Sequence, residues 1–167
     1  MGEGPQMKLP QADDVAKIAD IPLAVKDGLD TPVALSTRYQ FGRRQALYYL
    51  QATESLGLIA RRGNRYSLSR IGRNYTNLTP IGRKEVFLRS MLLSPVVARI
   101  LAELLISPRH RLTRQRVVAI ASTRARVSGT TISRRVRSIF NWLSWLGDET
   151  GALKVSKYHV LMTLRSR

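Results

Sequence analysis

Apolar positions along the chain follow two rhythms. Over most of its length they recur every three to four residues, the period of a helix with one buried face. In two short stretches, 58–68 and 152–164, they crowd or alternate as in β-strands. "DDVAKIA", from Asp13 to Ala19, predicts a short helix with acids in its first turn. "DGLDTP" breaks the chain, and Thr31-Pro32 pairs an N-cap with a proline at the first helical position, so a helix is expected as far as Tyr39. "QFG" is a turn, and a longer helix is expected from Arg43 to Leu56, stopped by Gly57. Leu58-Ile59 and Tyr66-Ser67-Leu68 then flank "RRGNR", which predicts a hairpin with a Gly-Asn tip. A short helix from Ser69 to Asn77 follows.

Thr79-Pro80 and Ser94-Pro95 open the next two helices by the same cap-then-proline device. The second, "SPVVARILAELLIS", is apolar almost all round, which predicts burial between two units. It is too short to span a membrane and carries Arg99 and Glu103. "PRHR" leads to Thr113, an N-cap for the helix "RQRVVAIAS", and "TRARVSG" is the next turn. A long helix is expected from Gly129 to Leu146, ended by Gly147, and "ALKVSKYHVLMTL" gives two β-rich runs around "SK". The order helix, turn, long helix, hairpin therefore occurs twice. The expected fold is mainly α with small β-hairpins. It divides into a flexible lead (1–11), a first unit (12–78), a connecting helical hairpin (79–108) and a second unit (109–167).

At about 100° per residue, segment 43–57 gathers Ala46, Leu50, Thr53 and Gly57 on one side, with Leu47, Tyr49 and Leu56 flanking. Arg44, Gln45, Tyr48, Gln51 and Ser55 lie opposite. In 129–146, Ile132, Val136, Ile139, Leu143 and Leu146 form the core stripe, with Phe140 at its edge. Thr130, Arg134, Arg137, Ser138 and Asn141 lie opposite, and Arg135 falls at the core boundary. Trp142 belongs to the core edge, and Trp145 falls on the polar side, packing on the preceding helix. Arg, Gln and Asn hydrogen-bond both base edges and phosphates. One such face reads equally well as solvated surface. Two, each ahead of a basic hairpin, favour nucleic acid.

Charge strengthens that reading. The 167 residues carry 28 Lys/Arg against 11 Asp/Glu, a net of +17, which works against compaction and calls for a polyanionic partner. Nucleic acid leads, ahead of an anionic membrane surface or an acidic protein. Residues 76–167 hold 17 of the basic residues and only 4 of the acidic ones. Nine arginines and no acid lie between Glu103 and Asp148. Of the basic residues 22 are Arg, which forks onto phosphate and guanine where Lys acts as a point charge. A G+C-rich coding sequence would also favour Arg over Lys, but it leaves the net charge unexplained.

There is no cysteine, which excludes disulfides and thiolate zinc sites. The start "MGEGPQMKLPQ" has no apolar signal core. A cytoplasmic, nucleoid-associated protein with no membrane attachment is expected.

The run "TPVALSTRYQFGRRQALYYLQATESLGLIARRGNRYSLSRIGRNY" resembles a winged-helix DNA-binding domain, similar to those joined to restriction-type nucleases and other bacterial defence proteins. The resemblance implies tandem winged helix-turn-helix units joined by the helical hairpin. The second unit matches in element order, though Thr113 to Gly147 is longer than Thr31 to Gly57. The N-terminal part of a recognition helix reaches deepest into the major groove. That singles out Gln40, Arg43, Arg44, Gln45, Tyr48 and Gln51 in the first unit, and Thr130, Thr131, Arg134, Arg137 and Asn141 in the second. Arg61, Arg62, Asn64 and Arg65 form the first wing, and Lys154 and Lys157 belong to the second; these are expected at phosphates or the minor groove.

Double-stranded DNA is the expected partner, with a nuclease domain or subunit beside it, and oligomers are compatible with the sequence. The favoured role is the target-recognition module of a restriction-type nuclease. A winged-helix transcriptional regulator comes second, and a structural or RNA-binding winged-helix protein third. No catalytic role is expected. The acids are scattered, with no carboxylate-plus-lysine cluster for Mg²⁺, no phosphate-cradling glycine loop and no zinc spacing. No metal or other cofactor is expected.

Overall fold

The computed structural model describes residues 9–122 and 129–163. Among them lie eight α-helices, one 3-10 turn and two small antiparallel sheets. The chain divides into two compact units between Ser94 and Pro95.

The N-terminal unit opens with α1 (Val15–Lys26), capped by the Asp14 carboxylate, which accepts from the Lys17 N–H at 3.1 Å. The sequence placed its end at Ala19, but the helix continues through Pro22. Pro22 has no N–H to offer the carbonyl four residues back. The buried Thr53 hydroxyl lies 3.4 Å from that carbonyl, of Ile18, and 2.9 Å from the Tyr49 carbonyl. The neighbouring Ala19 carbonyl accepts from the Tyr75 hydroxyl at 2.6 Å. Hydroxyls from distant segments thus line the turn of the helix ahead of its proline.

Next come α2 (Pro32–Tyr39), α3 (Arg43–Ser55), strands β1 (Ile59–Arg62) and β2 (Arg65–Leu68), α4 (Arg70–Asn77) and α5 (Pro80–Leu92). Thr31, Ser69 and Thr79 cap α2, α4 and α5 through their hydroxyls. The hairpin pairs Ile59 with Leu68 and Arg62 with Arg65. Ile18, Ile21, Leu35, Ala46, Leu50, Leu58 and Ile59 are fully buried.

The C-terminal unit contains α6 (Pro95–Ile106), a 3-10 turn at Pro108–His110, β3 (Arg111–Thr113), α7 (Arg114–Ser122), α8 (Gly129–Thr150), β4 (Leu153–Val155) and β5 (His159–Met162). The sheet order is β3-β5-β4, all antiparallel. Its core includes Ile100, Leu104, Val117, Val136, Ile139, Trp142, Leu143 and Val160.

Several features of this unit differ from the sequence reading. "PRHR" was expected as a plain lead, yet its last arginine starts a third strand. Helix α6 is not enclosed all round: Val96, Val97, Ile100 and Leu104 are buried, while Leu105 and Ile106 are 54% and 82% exposed. Helices α5 and α6, expected as one connecting hairpin, are grouped with different units. Ser138 is buried rather than outward. Residues 1–8 of the expected flexible lead (1–11) and most of the "TRARVSG" turn, 123–128, lie outside the described residues, while Leu9 and Pro10 of that lead are buried.

Helix α8 does not stop at Gly147 but runs three residues further. That glycine serves close packing: a Cβ on it would stand 2.5 Å from the Leu153 carbonyl oxygen. Gly72 in α4 does the same against Leu58, where a Cβ would stand 1.8 Å from the carbonyl oxygen. Gly72→Ala should therefore destabilise its unit by about 3 kcal/mol, and Gly147→Ala should have a smaller effect, as read from denaturant unfolding.

Burial pushes the Tyr75 phenol up to about 12. The folded chain holds this proton while an unfolded one loses it near pH 10. Stability should therefore fall as pH rises from about 10 to 12. Tyr75→Phe should lower stability by about 1 kcal/mol at neutral pH, by removing the hydroxyl's bond to the Ala19 carbonyl. It should also make the alkaline decline shallower in melting curves.

Candidate nucleic-acid interface

In the N-terminal unit the chain enters α3 through a turn fixed by a ladder of rings. Tyr39 and Phe41 stack at 5.4 Å, and Phe41 and Tyr49 at 4.9 Å. Gln40 adopts a left-handed conformation as the C-cap of α2 and is exposed. Arg43, Arg44 and Gln45 are exposed, and Tyr48 and Gln51 half-buried. Arg44, Tyr48 and Gln51 sit across the helix from buried Ala46, Leu50 and Thr53, while Arg43 lies at the margin of that stripe and Gln45 lies between buried Tyr49 and Ala52. Arg44 Nε donates to the Tyr48 hydroxyl at 2.5 Å, and its guanidinium lies 5.7 Å from that ring. Two anticipated residues thus form one unit. Arginines at the first two helical positions oppose the helix dipole, and Gly42 supplies no capping side chain.

The hairpin exposes Arg61, Arg62, Asn64 and Arg65. Arg61 Nε folds back to donate to the Gly63 carbonyl at 2.8 Å, and its backbone N–H donates to Glu54 at 3.3 Å. Arg65 pairs with Asp30 at 3.2 Å, and the Asp30 carbonyl accepts from the Tyr66 N–H at 2.8 Å.

In the C-terminal unit, Arg134, Arg137 and Asn141 are exposed along α8 and Thr131 is half-buried; the Thr130 side chain lies outside the described residues. Arg135 is half-buried, with its Nε enclosed and lacking a hydrogen-bond partner. The paired arginine therefore splits between two environments. Lys154, on β4 opposite Leu161, and Lys157, in the turn before β5, are exposed. The structure brings Arg137, Asn141 and Lys157 to the rim of one open cleft, together with Arg114; Lys154 does not line it.

Sequence reasoning missed Arg114 as a site residue. Its guanidinium stacks 4.8 Å from the Phe140 ring and donates to the Lys157 carbonyl at 3.3 Å. A signal was present: Arg114 and Arg116 occupy the first turn of α7, where cations are unfavourable. Arg116 is matched by Glu103 at 2.8 Å, which also pairs with Arg99 at 3.6 Å. The Arg116 hydrogen bond, helped by both guanidinium charges, holds the Glu103 carboxyl below its ordinary value. Tyr158, also missed, is 67% exposed, with the Lys157 ammonium 5.4 Å from its ring.

Among the described residues no group of three or more His, Asp or Glu is placed to hold a metal ion, and no helix is long and apolar enough to cross a membrane. A family model described as a domain of unknown function (DUF7226) matches residues 22–150, and the chain belongs to that family. No curated protein and no solved structure matches the chain.

The Arg65–Asp30 pair tests how the first hairpin is held. Asp30→Asn should change stability by less than about 1 kcal/mol, because an exposed ion pair contributes little. The backbone bond from Tyr66 should keep β2 in place. A larger loss in urea unfolding would mean that the ion pair, not the backbone bond, anchors the strand.

Proposed function

We propose that the chain binds double-stranded DNA through two winged-helix-type units, with α3 and α8 as recognition helices. The observation that carries this reading is the make-up of two helix faces. Arg44, Tyr48 and Gln51 on α3, and Arg134, Arg137 and Asn141 on α8, lie opposite the buried stripes. No carboxylate stands among them. In the N-terminal unit three helices precede a basic hairpin, and the Asp30 carbonyl binds the second strand; both fit the winged-helix reading. In the C-terminal unit β3 extends the hairpin into a three-stranded sheet. On this reading the chain is a non-catalytic target-recognition module, and a restriction-type nuclease domain or subunit supplies cleavage.

Binding to a duplex should weaken about a thousandfold or more between 50 and 200 mM salt if some six phosphates are engaged. A site selected from random duplexes should then separate the roles. Arg44→Ala and Arg134→Ala should each cost about 1–3 kcal/mol at that site and relax base preference. Arg62→Ala should weaken all sequences alike. Equal affinity for single-stranded RNA, or cleavage of DNA with Mg²⁺ by this chain alone, would overturn the proposal.

A further inference from the structure

The cleft of the C-terminal unit holds about 450 Å³, within the range of small-ligand sites. Three separate segments converge on it. Arg137, Asn141 and Ser144 stand at i, i+4 and i+7 along α8, one stripe of the helix. Arg114 enters from α7 and Lys157 from the turn between β4 and β5. None of the described lining residues is acidic. Three like charges around one opening repel each other, and nothing of opposite sign on its walls offsets this.

Arg114 and the turn that carries Lys157 are also held in position. The Arg114 guanidinium is supported by the Phe140 ring and tethered to the Lys157 carbonyl. The turn that carries Lys157 is set by Ser156, whose hydroxyl accepts the N–H groups of Tyr158 at 3.3 Å and His159 at 3.2 Å. The Arg114 N–H donates to the Tyr158 carbonyl at 2.6 Å, tying α7 to the same turn. Arginine forks onto phosphate with two parallel bonds, and lysine adds a point charge.

We propose that this cleft is a seat for a phosphate group, with Arg114, Arg137 and Lys157 as its cationic ligands and Asn141 and Ser144 as neutral ones. The inference rests on the duplex-binding reading only for the source of the phosphate, not for the seat. The source is either a phosphodiester of a bound nucleic acid or a free phosphate or nucleotide.

The test is titration of the ¹⁵N-labelled full chain with inorganic pyrophosphate, followed by amide shifts of Asn141 and Ser144 and the Nε signals of Arg114 and Arg137. Saturable shifts confined to the cleft are expected. Arg137→Gln and Lys157→Gln should each weaken binding roughly tenfold, while Arg38→Gln, an exposed charge on α2, should leave it unchanged. Both cleft substitutions are at exposed side chains, so folding should survive them. A short duplex that displaces pyrophosphate identifies the nucleic-acid backbone as the source. Saturable pyrophosphate binding that a duplex does not displace keeps the seat and assigns it to free phosphate, while removing this cleft from the duplex-binding surface. Shifts that fail to saturate, or that weaken as much in Arg38→Gln as in Arg137→Gln, overturn the proposal.

Discussion

The carbonyl of Leu58 is the point on which the N-terminal unit turns. It accepts the Ser69 N–H at 3.1 Å and lies 3.1 Å from the Ser69 hydroxyl, which also donates to the Gly57 carbonyl at 2.6 Å. The same hydroxyl accepts the Gly72 N–H and so starts α4. The end of α3, the start of β1 and the first turn of α4 therefore share one knot of polar groups. It closes only because Gly72 has no side chain. Every basic position of the first hairpin hangs from this junction, so the direction in which Arg61 to Arg65 project follows from a backbone contact, not from the arginines. The C-terminal unit repeats the device with Gly147 of α8 against the Leu153 carbonyl at the start of β4.

Several of the few acids have local partners on these frameworks: Asp14 caps α1 and pairs with Lys17, Asp30 meets Arg65, and Glu103 holds Arg99 and Arg116. Spent in this way, they do not soften the outward faces of α3 and α8. Basic side chains are nevertheless exposed on other elements as well, Arg38 on α2, Arg70 and Arg73 on α4, and Lys84 and Arg89 on α5 among them.

Much of this was legible in the sequence where a local rule decides the outcome. The N-caps at Thr31, Thr79 and Thr113 stood out because a hydroxyl followed by an apolar period, often with a proline, has one good conformation, whereas Ser69, read as the first helical residue, is itself the cap of α4. The buried and outward sides of α3 followed from period alone. Rules failed where tertiary contacts override them. Pro22 normally ends a helix, but here α1 is packed against the Thr53 and Tyr75 side chains, whose hydroxyls lie within hydrogen-bond distance of the Ile18 and Ala19 carbonyls. Gly147 normally stops one, but here it admits a neighbouring strand. Strand β3 has three residues, too few for its alternation to stand out. Ser138 lies on the polar side of a helical wheel, yet it is buried by the fold. The unfavourable place of Arg114 at a helix start was legible, but its partners were not, because Phe140 and Lys157 arrive from 26 and 43 positions further along the chain.

Some arginines of the proposed surfaces are anchored, as Arg99 and Arg116 are outside them. A solvated arginine keeps most of its rotamer freedom, and ordering such a side chain on binding costs about 0.5–1.5 kcal/mol. Arg44 lies along Tyr48, Arg65 is fixed to Asp30, and Arg114 rests on Phe140 and the Lys157 carbonyl. Each has given up part of that freedom before any partner arrives. For a surface that meets phosphates at fixed spacing, this prior ordering lowers the entropy lost on docking and sets the direction of the guanidinium fork. The anchors come from aromatic rings, a carbonyl and a carboxylate on neighbouring elements, so the fold itself aims these arginines.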